Sequence, residues 1–112
     1  MEEFIAYLDG KIDEGKTEIT ALESDGRKDD ANFARVHTNI YDVCRTVTRA
    51  LSDRPGAGIE AVRTQLKRFR TQWGAALEKA RQHDDIGAEA VEETKIAALE
   101  DVMARFREVT GA

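Results

Sequence analysis

The sequence predicts an all-α protein, an antiparallel up-down-up-down four-helix bundle made of two helical hairpins joined near Pro55. Three observations point there. Apolar residues recur at alternating spacings of three and four, which puts them on one side of a helix. The stretch SDRPGAG, residues 52–58, holds the only proline and two of the eight glycines, and no helix should cross it. Two polar turn signals, SDGRKDD at 24–30 and HDD at 83–85, then divide each half into a pair of segments of about 22 residues, or rods of roughly 33 Å. Short turns make consecutive helices antiparallel neighbours. The first and fourth helices are therefore expected to be adjacent, as are the second and third, within a single domain over 1–112.

The first helix, Glu2 to about Ser24, carries Ile5, Leu8, Ile12, Gly15, Ile19 and Leu22 on one seam. A glycine on a seam weakens the helix by about 1 kcal/mol relative to alanine, so Gly15 marks a place where another side chain comes close. Trp73, a large side chain at mid-helix, is the expected visitor. Gly26 can take the left-handed conformation that ends a helix, and Asp29 is positioned to cap the next one. The second helix, about Asp30 to Ser52, has Phe33, Val36, Ile40, Val43, Val47 and Ala50 on its seam. A second stripe runs beside it through His37, Tyr41, Cys44, Thr48 and Leu51.

The third helix is the most regular. Ile59, Val62, Leu66, Phe69, Trp73, Ala76 and Ala80 alternate strictly at three and four, and Arg63, Lys67, Arg68 and Arg70 lie between them. It is expected to end near Gln82. The fourth helix, about Asp85 to Val109, presents Ile96, Leu99, Met103 and Phe106 as core, with Val91, Ala98, Val102 and Val109 alongside. A faint repeat at an offset of 55 residues aligns Ala21-Leu22-Glu23 with Ala76-Leu77-Glu78 and Asp29-Asp30 with Asp84-Asp85, in keeping with two hairpins.

Charge is distributed unevenly. The net charge of -5 divides into -6 over residues 1–31, +6 over 32–83 and -5 over 84–112. Such a chain either pairs with itself or presents two unlike faces to a partner. Arg63, Lys67 and Arg70 share one face of the third helix, and Arg45 and Arg49 share one face of the second. Brought together, these five cations would form a patch able to neutralise phosphates. The competing expectation pairs them with acids of neighbouring helices or of another copy, and a sequence pI near 5.1 favours it.

Catalysis, metals and cofactors find little here. No serine or cysteine has a histidine assignable to it, and there is no phosphate-cradling glycine loop. A di-iron site would need Glu-x-x-His on two helices, yet Ala34 and Ala80 stand three residues before His37 and His83. Nothing has the paired-cysteine spacing of structural zinc. No enzyme, cofactor or metal is expected. The single cysteine, Cys44, fits a reducing compartment, and the acidic opening MEEF lacks a signal peptide's basic start. No apolar run approaches the roughly 20 residues of a bilayer span, so a cytoplasmic location without membrane contact is expected. What remains is an interaction module bound to a protein partner or to itself, with a homodimer favoured. The stripe His37, Tyr41, Cys44 and Leu51 is its candidate contact face. A nucleic-acid-associated regulator using the basic second and third helices is the alternative.

Overall fold

The computed structural model describes residues 1–111. It contains four helices: α1 (Glu2–Ser24), α2 (Lys28–Leu51), α3 (Gly58–Gln82) and α4 (Ile86–Thr110). They form a four-helix bundle in which α1 packs mainly on α2 and α3 mainly on α4. The turn within each hairpin is closed by the same hydrogen-bonding device. Past α1, the Gly26 N–H donates to the Glu23 carbonyl at 3.0 Å and the Arg27 N–H to Leu22 at 2.9 Å, with Gly26 at φ 75°. Past α3, the Asp84 N–H donates to Arg81 at 3.2 Å and the Asp85 N–H to Ala80 at 2.9 Å, with Asp84 at φ 52°. Both are Schellman closures, which satisfy the orphan carbonyls of a helix end.

The two turns differ in how they start the next helix. Asp85 caps α4 by accepting from the Ala88 N–H at 3.1 Å. Asp29, expected as a cap, instead lies inside the first turn of α2, whose N-cap is Arg27 with no side-chain cap. There Asp29 and Asp30 place negative charge at the positive helix end, and Asp30 also accepts from the Arg27 guanidinium at 2.8 Å.

The hairpins do not meet as a square. The contact between α2 and α4 is more extensive than either α2–α3 or α1–α4, and α1 does not touch α3. The section is thus rhombic, with α2 and α4 on the short diagonal, and the molecule measures 46 × 35 × 20 Å. Its core is one apolar cluster. Phe4, Leu8 and Ile12 come from the start of α1, and Ile40, Tyr41 and Cys44 from the latter half of α2. Val62 and Leu66 join from the start of α3, and Ala98, Leu99, Val102 and Phe106 from the latter half of α4. With antiparallel helices all four stretches lie at one end, beside the 52–57 loop.

The opposite end is thinly filled, because the seams there carry Gly15, Ala31, Ala76 and Ala80 in place of large side chains. Leu22, Leu77 and Val91 are only partly covered, Phe33 is exposed, and an open groove runs between Leu22, Phe33 and His37 of the first hairpin and Thr94 of α4.

Since α1 and α3 are out of contact, Trp73 cannot be the neighbour of Gly15. Thr38 of α2 is that neighbour. It is 8% exposed, its hydroxyl donates to the Ala34 carbonyl at 2.7 Å, and its side chain fills the space a Cβ on residue 15 would need. Trp73 finds its room inside its own hairpin, stacked on Phe69 at 5.0 Å with the Lys95 ammonium 4.9 Å above its ring. Gly15→Ala should therefore lose stability by about 1–3 kcal/mol through overpacking, although alanine is the better helix former. Urea unfolding of Gly15→Ala, Thr38→Ala and the double variant checks this, with a coupling of about 1 kcal/mol or more expected between the two sites.

Candidate functional site

The five sequence-predicted cations are not gathered on one face. Arg45 and Arg49 both turn toward α1. Arg45 donates to Asp9 at 2.8 Å and to Asp42 at 3.0 Å, and Arg49 lies 3.8 Å from the same Asp9 oxygen. Its hydrogen bonds to the Asp9 and Asp42 carboxylates push the Arg45 pKa further up. Arg63, Lys67 and Arg70 instead follow the seam between α3 and α4. Arg63 is paired with Glu60 one turn back, and Arg70 donates to Glu100 of α4 at 3.2 Å. Lys67 has no ion-pair partner among the described residues.

The expected contact stripe on α2 is likewise redirected. Tyr41 is 1% exposed and Cys44 fully buried within the single chain. Leu51 packs against the same core, and His37 sits half-buried with its ring edge-to-face on Tyr41 at 5.2 Å. The second stripe of α2 thus faces α1 and α4, with Tyr41 and Cys44 covered and His37 and Leu51 left only partly exposed. The wide apolar face of α2 reflects its position on the short diagonal, where it, like α4, has three neighbours.

The seam between α3 and α4 holds a cleft of about 190 Å³. Leu66, Met103 and Phe106 make its apolar floor, and Arg63, Lys67 and Arg107 stand around it. The helical repeat explains the arrangement. Arg63, Leu66 and Lys67 at i, i+3 and i+4 share a face of α3, as Met103, Phe106 and Arg107 share one of α4. The Arg63 guanidinium lies 5.8 Å from the Phe106 ring centroid, at cation–π distance. Arg107, like Lys67, has no ion-pair partner among the described residues. Reading the cations of α2 and α3 alone overlooked it. Its spacing of four from Met103, a core residue, was the available signal.

No group of three histidine, cysteine, aspartate or glutamate side chains converges on one point among the described residues. His37 edges Tyr41, Cys44 is buried, and His83 lies exposed past α3 with Nδ1 2.8 Å from the Lys79 carbonyl oxygen. None of the four helices is long and apolar enough to cross a membrane. Comparison with protein-family models, curated proteins and solved structures finds no match to this chain.

The buried titratable groups lie in the core. Burial alone raises the Cys44 thiol to about 12. Burial also raises the Tyr41 phenol, helped by the charges of Tyr7 and Asp101, and its hydroxyl donates to Asp101 at 3.4 Å. Tyr7, edge-to-face with Tyr41 at 6.4 Å, is raised mainly by burial as well. The native state holds these protons more tightly than the unfolded chain. Their contribution is complete at low pH and is lost as pH rises through the folded-state values. Stability should begin to fall near pH 9, where a free thiol ionises, and fall faster above about pH 10, where free phenols do. Melting temperatures across that range check this, with a shallower decline expected for Tyr41→Phe.

Proposed function

We propose that the chain is a non-catalytic helical interaction module that associates with a second copy of itself through the α3/α4 seam. One observation carries the reading. The cleft between α3 and α4 has Leu66, Met103 and Phe106 along its floor, with Met103 partly exposed and the other two nearly covered. Lys67 and Arg107 at its rim have no ion-pair partner among the described residues. Lys16, Lys28, Arg54, Arg68 and Lys79 likewise have no ion-pair partner among the described residues, whereas other cations are matched. Arg45 meets Asp9, Arg35 meets Glu23 at 2.7 Å, Arg81 meets Glu89 and Glu93, and Arg105 meets Glu3 and Glu108. A cleft that combines a partly exposed methionine with two cations lacking ion-pair partners suits an acidic, partly apolar partner.

A nucleic-acid-associated role is the second reading. Lys67 and Arg68, beside Thr64, Thr71 and Gln72 on an outward face of α3, favour it. The engagement of Arg45 and Arg49 by Asp9 removes the α2 half of the patch it needs.

Light scattering on the size-exclusion peak separates the two. Self-association predicts a dimer at 0.1 M salt that weakens at 1 M, where the screening length falls from about 10 Å to about 3 Å. A monomer at both salt concentrations overturns the reading. Binding of a labelled DNA or RNA duplex by that monomer at 0.1 M salt, lost in Lys67→Glu, would put the second reading in its place.

A further inference from the structure

We propose that the second copy docks by its α3/α4 turn: Ile86, which follows Asp84 and Asp85, enters the cleft between α3 and α4, and the Asp84 carboxylate meets Lys67 and Arg107. The proposal rests on the self-association reading and names the contact that carries it.

Three observations converge on this occupant. Ile86 is 79% exposed, against 45% for Ile59 and 39% for Phe33, and it stands immediately after two acids. Asp84 has no ion-pair partner among the described residues, and its left-handed backbone holds it at the turn. The cleft offers the complement, with three cations over an apolar floor. Its volume of about 190 Å³ is small beside the roughly 300–1,000 Å³ of pockets for whole ligands. An apolar cavity of about 150 Å³ is enough for benzene, so this one has room for a single large apolar side chain. Ile59 prolongs the floor. It precedes Arg63 by four residues and Leu66 by seven, on the same face of α3, and is itself half exposed.

The two halves of the contact lie at opposite ends of one hairpin. From the middle of the cleft on α3 to the end of that helix is about 17 residues, or roughly 26 Å. Two hairpins laid side by side and antiparallel, offset by that amount, bring each turn to the other's cleft. A two-fold axis generates two identical contacts and a closed dimer.

The test uses the full chain and exposed positions, so the fold survives each substitution, as circular dichroism verifies. Dimer dissociation constants at 0.1 M salt are measured by sedimentation equilibrium for the native chain, Ile86→Asp, Lys67→Glu and Asp84→Lys. Ile86→Asp is expected to weaken the dimer at least about 100-fold, roughly tenfold for each of two contacts that lose a buried aliphatic side chain. Lys67→Glu and Asp84→Lys should each weaken self-association, and an equimolar mixture of the two should recover a dimer, since acid then faces base at both contacts. A native dimer indifferent to Ile86→Asp and Lys67→Glu overturns this docking and leaves self-association standing. A native chain that is monomeric throughout overturns both.

Discussion

Ala98, Leu99 and Val102 of α4 join Ile40, Tyr41 and Cys44 of α2 in one buried cluster, and that contact holds the two hairpins together. Its geometry follows from side-chain size. Ala98 and Cys44 are small and fully buried, so the two helices can approach closely on the short diagonal. Once α2 and α4 are in contact, α1 and α3 are pushed to opposite flanks, and the remaining large side chains can only fill from the sides. Phe4 does so from α1, meeting Phe106 edge-to-face at 5.2 Å. Leu66 does so from α3, and its contribution to the floor of the cleft is a direct result. The cleft lies on the α3 flank because α3 touches α4 closely and α2 only weakly.

This constraint separates what the sequence could convey from what it could not. The three-four spacing and the SDRPGAG break place all four helices to within a residue or two, since both signals act locally. The apolar seams also identify much of the core of α1, α3 and α4, from Leu8 and Ile12 to Leu99 and Phe106. In α2, however, the buried side is the second stripe with Tyr41, Cys44 and Thr48, while Phe33 and Ala50 of the expected seam are exposed. Neighbours across helices are a different matter. A seam says which side of a helix is buried and leaves open which helix buries it. Gly15 was rightly read as a point of close approach, yet the approaching side chain is Thr38. The second stripe on α2 looked like spare surface because a square bundle asks each helix for two neighbours, and α2 has three.

The charged residues show the same limit. Periodicity put Arg45 and Arg49 on one face and Arg63, Lys67 and Arg70 on another, both correctly. Whether the faces merge depends on the rotation of α2 about its axis, which burying Tyr41 and Cys44 decides. That rotation aims Arg45 at Asp9 on α1. The acidic–basic–acidic pattern is consequently resolved mostly between adjacent helices: α1 with α2 through Asp9 and Glu23, and α3 with α4 through Glu89, Glu93 and Glu100. Among the charges it leaves without an ion pair in the described residues are Lys67 and Arg107 in one place and Asp84 in another.

That the leftover charges sit at opposite ends of a single hairpin bears on the form of the assembly. A turn that enters the cleft of the next copy by translation leaves a turn and a cleft unfilled at the two ends, so the contact repeats without limit and gives a fibre. The two-fold arrangement fills both at once within a pair. In the proposed pair it would also place each Ile59 beside the incoming turn, adding apolar area that an end-to-end contact would leave in water. Two weak contacts formed together by one rigid pairing reinforce each other, because forming the first positions the second and removes most of its entropic cost. On the proposed geometry, an exposed isoleucine and two cations without ion-pair partners among the described residues, each of little consequence on a monomer's surface, would act together to select one closed partner.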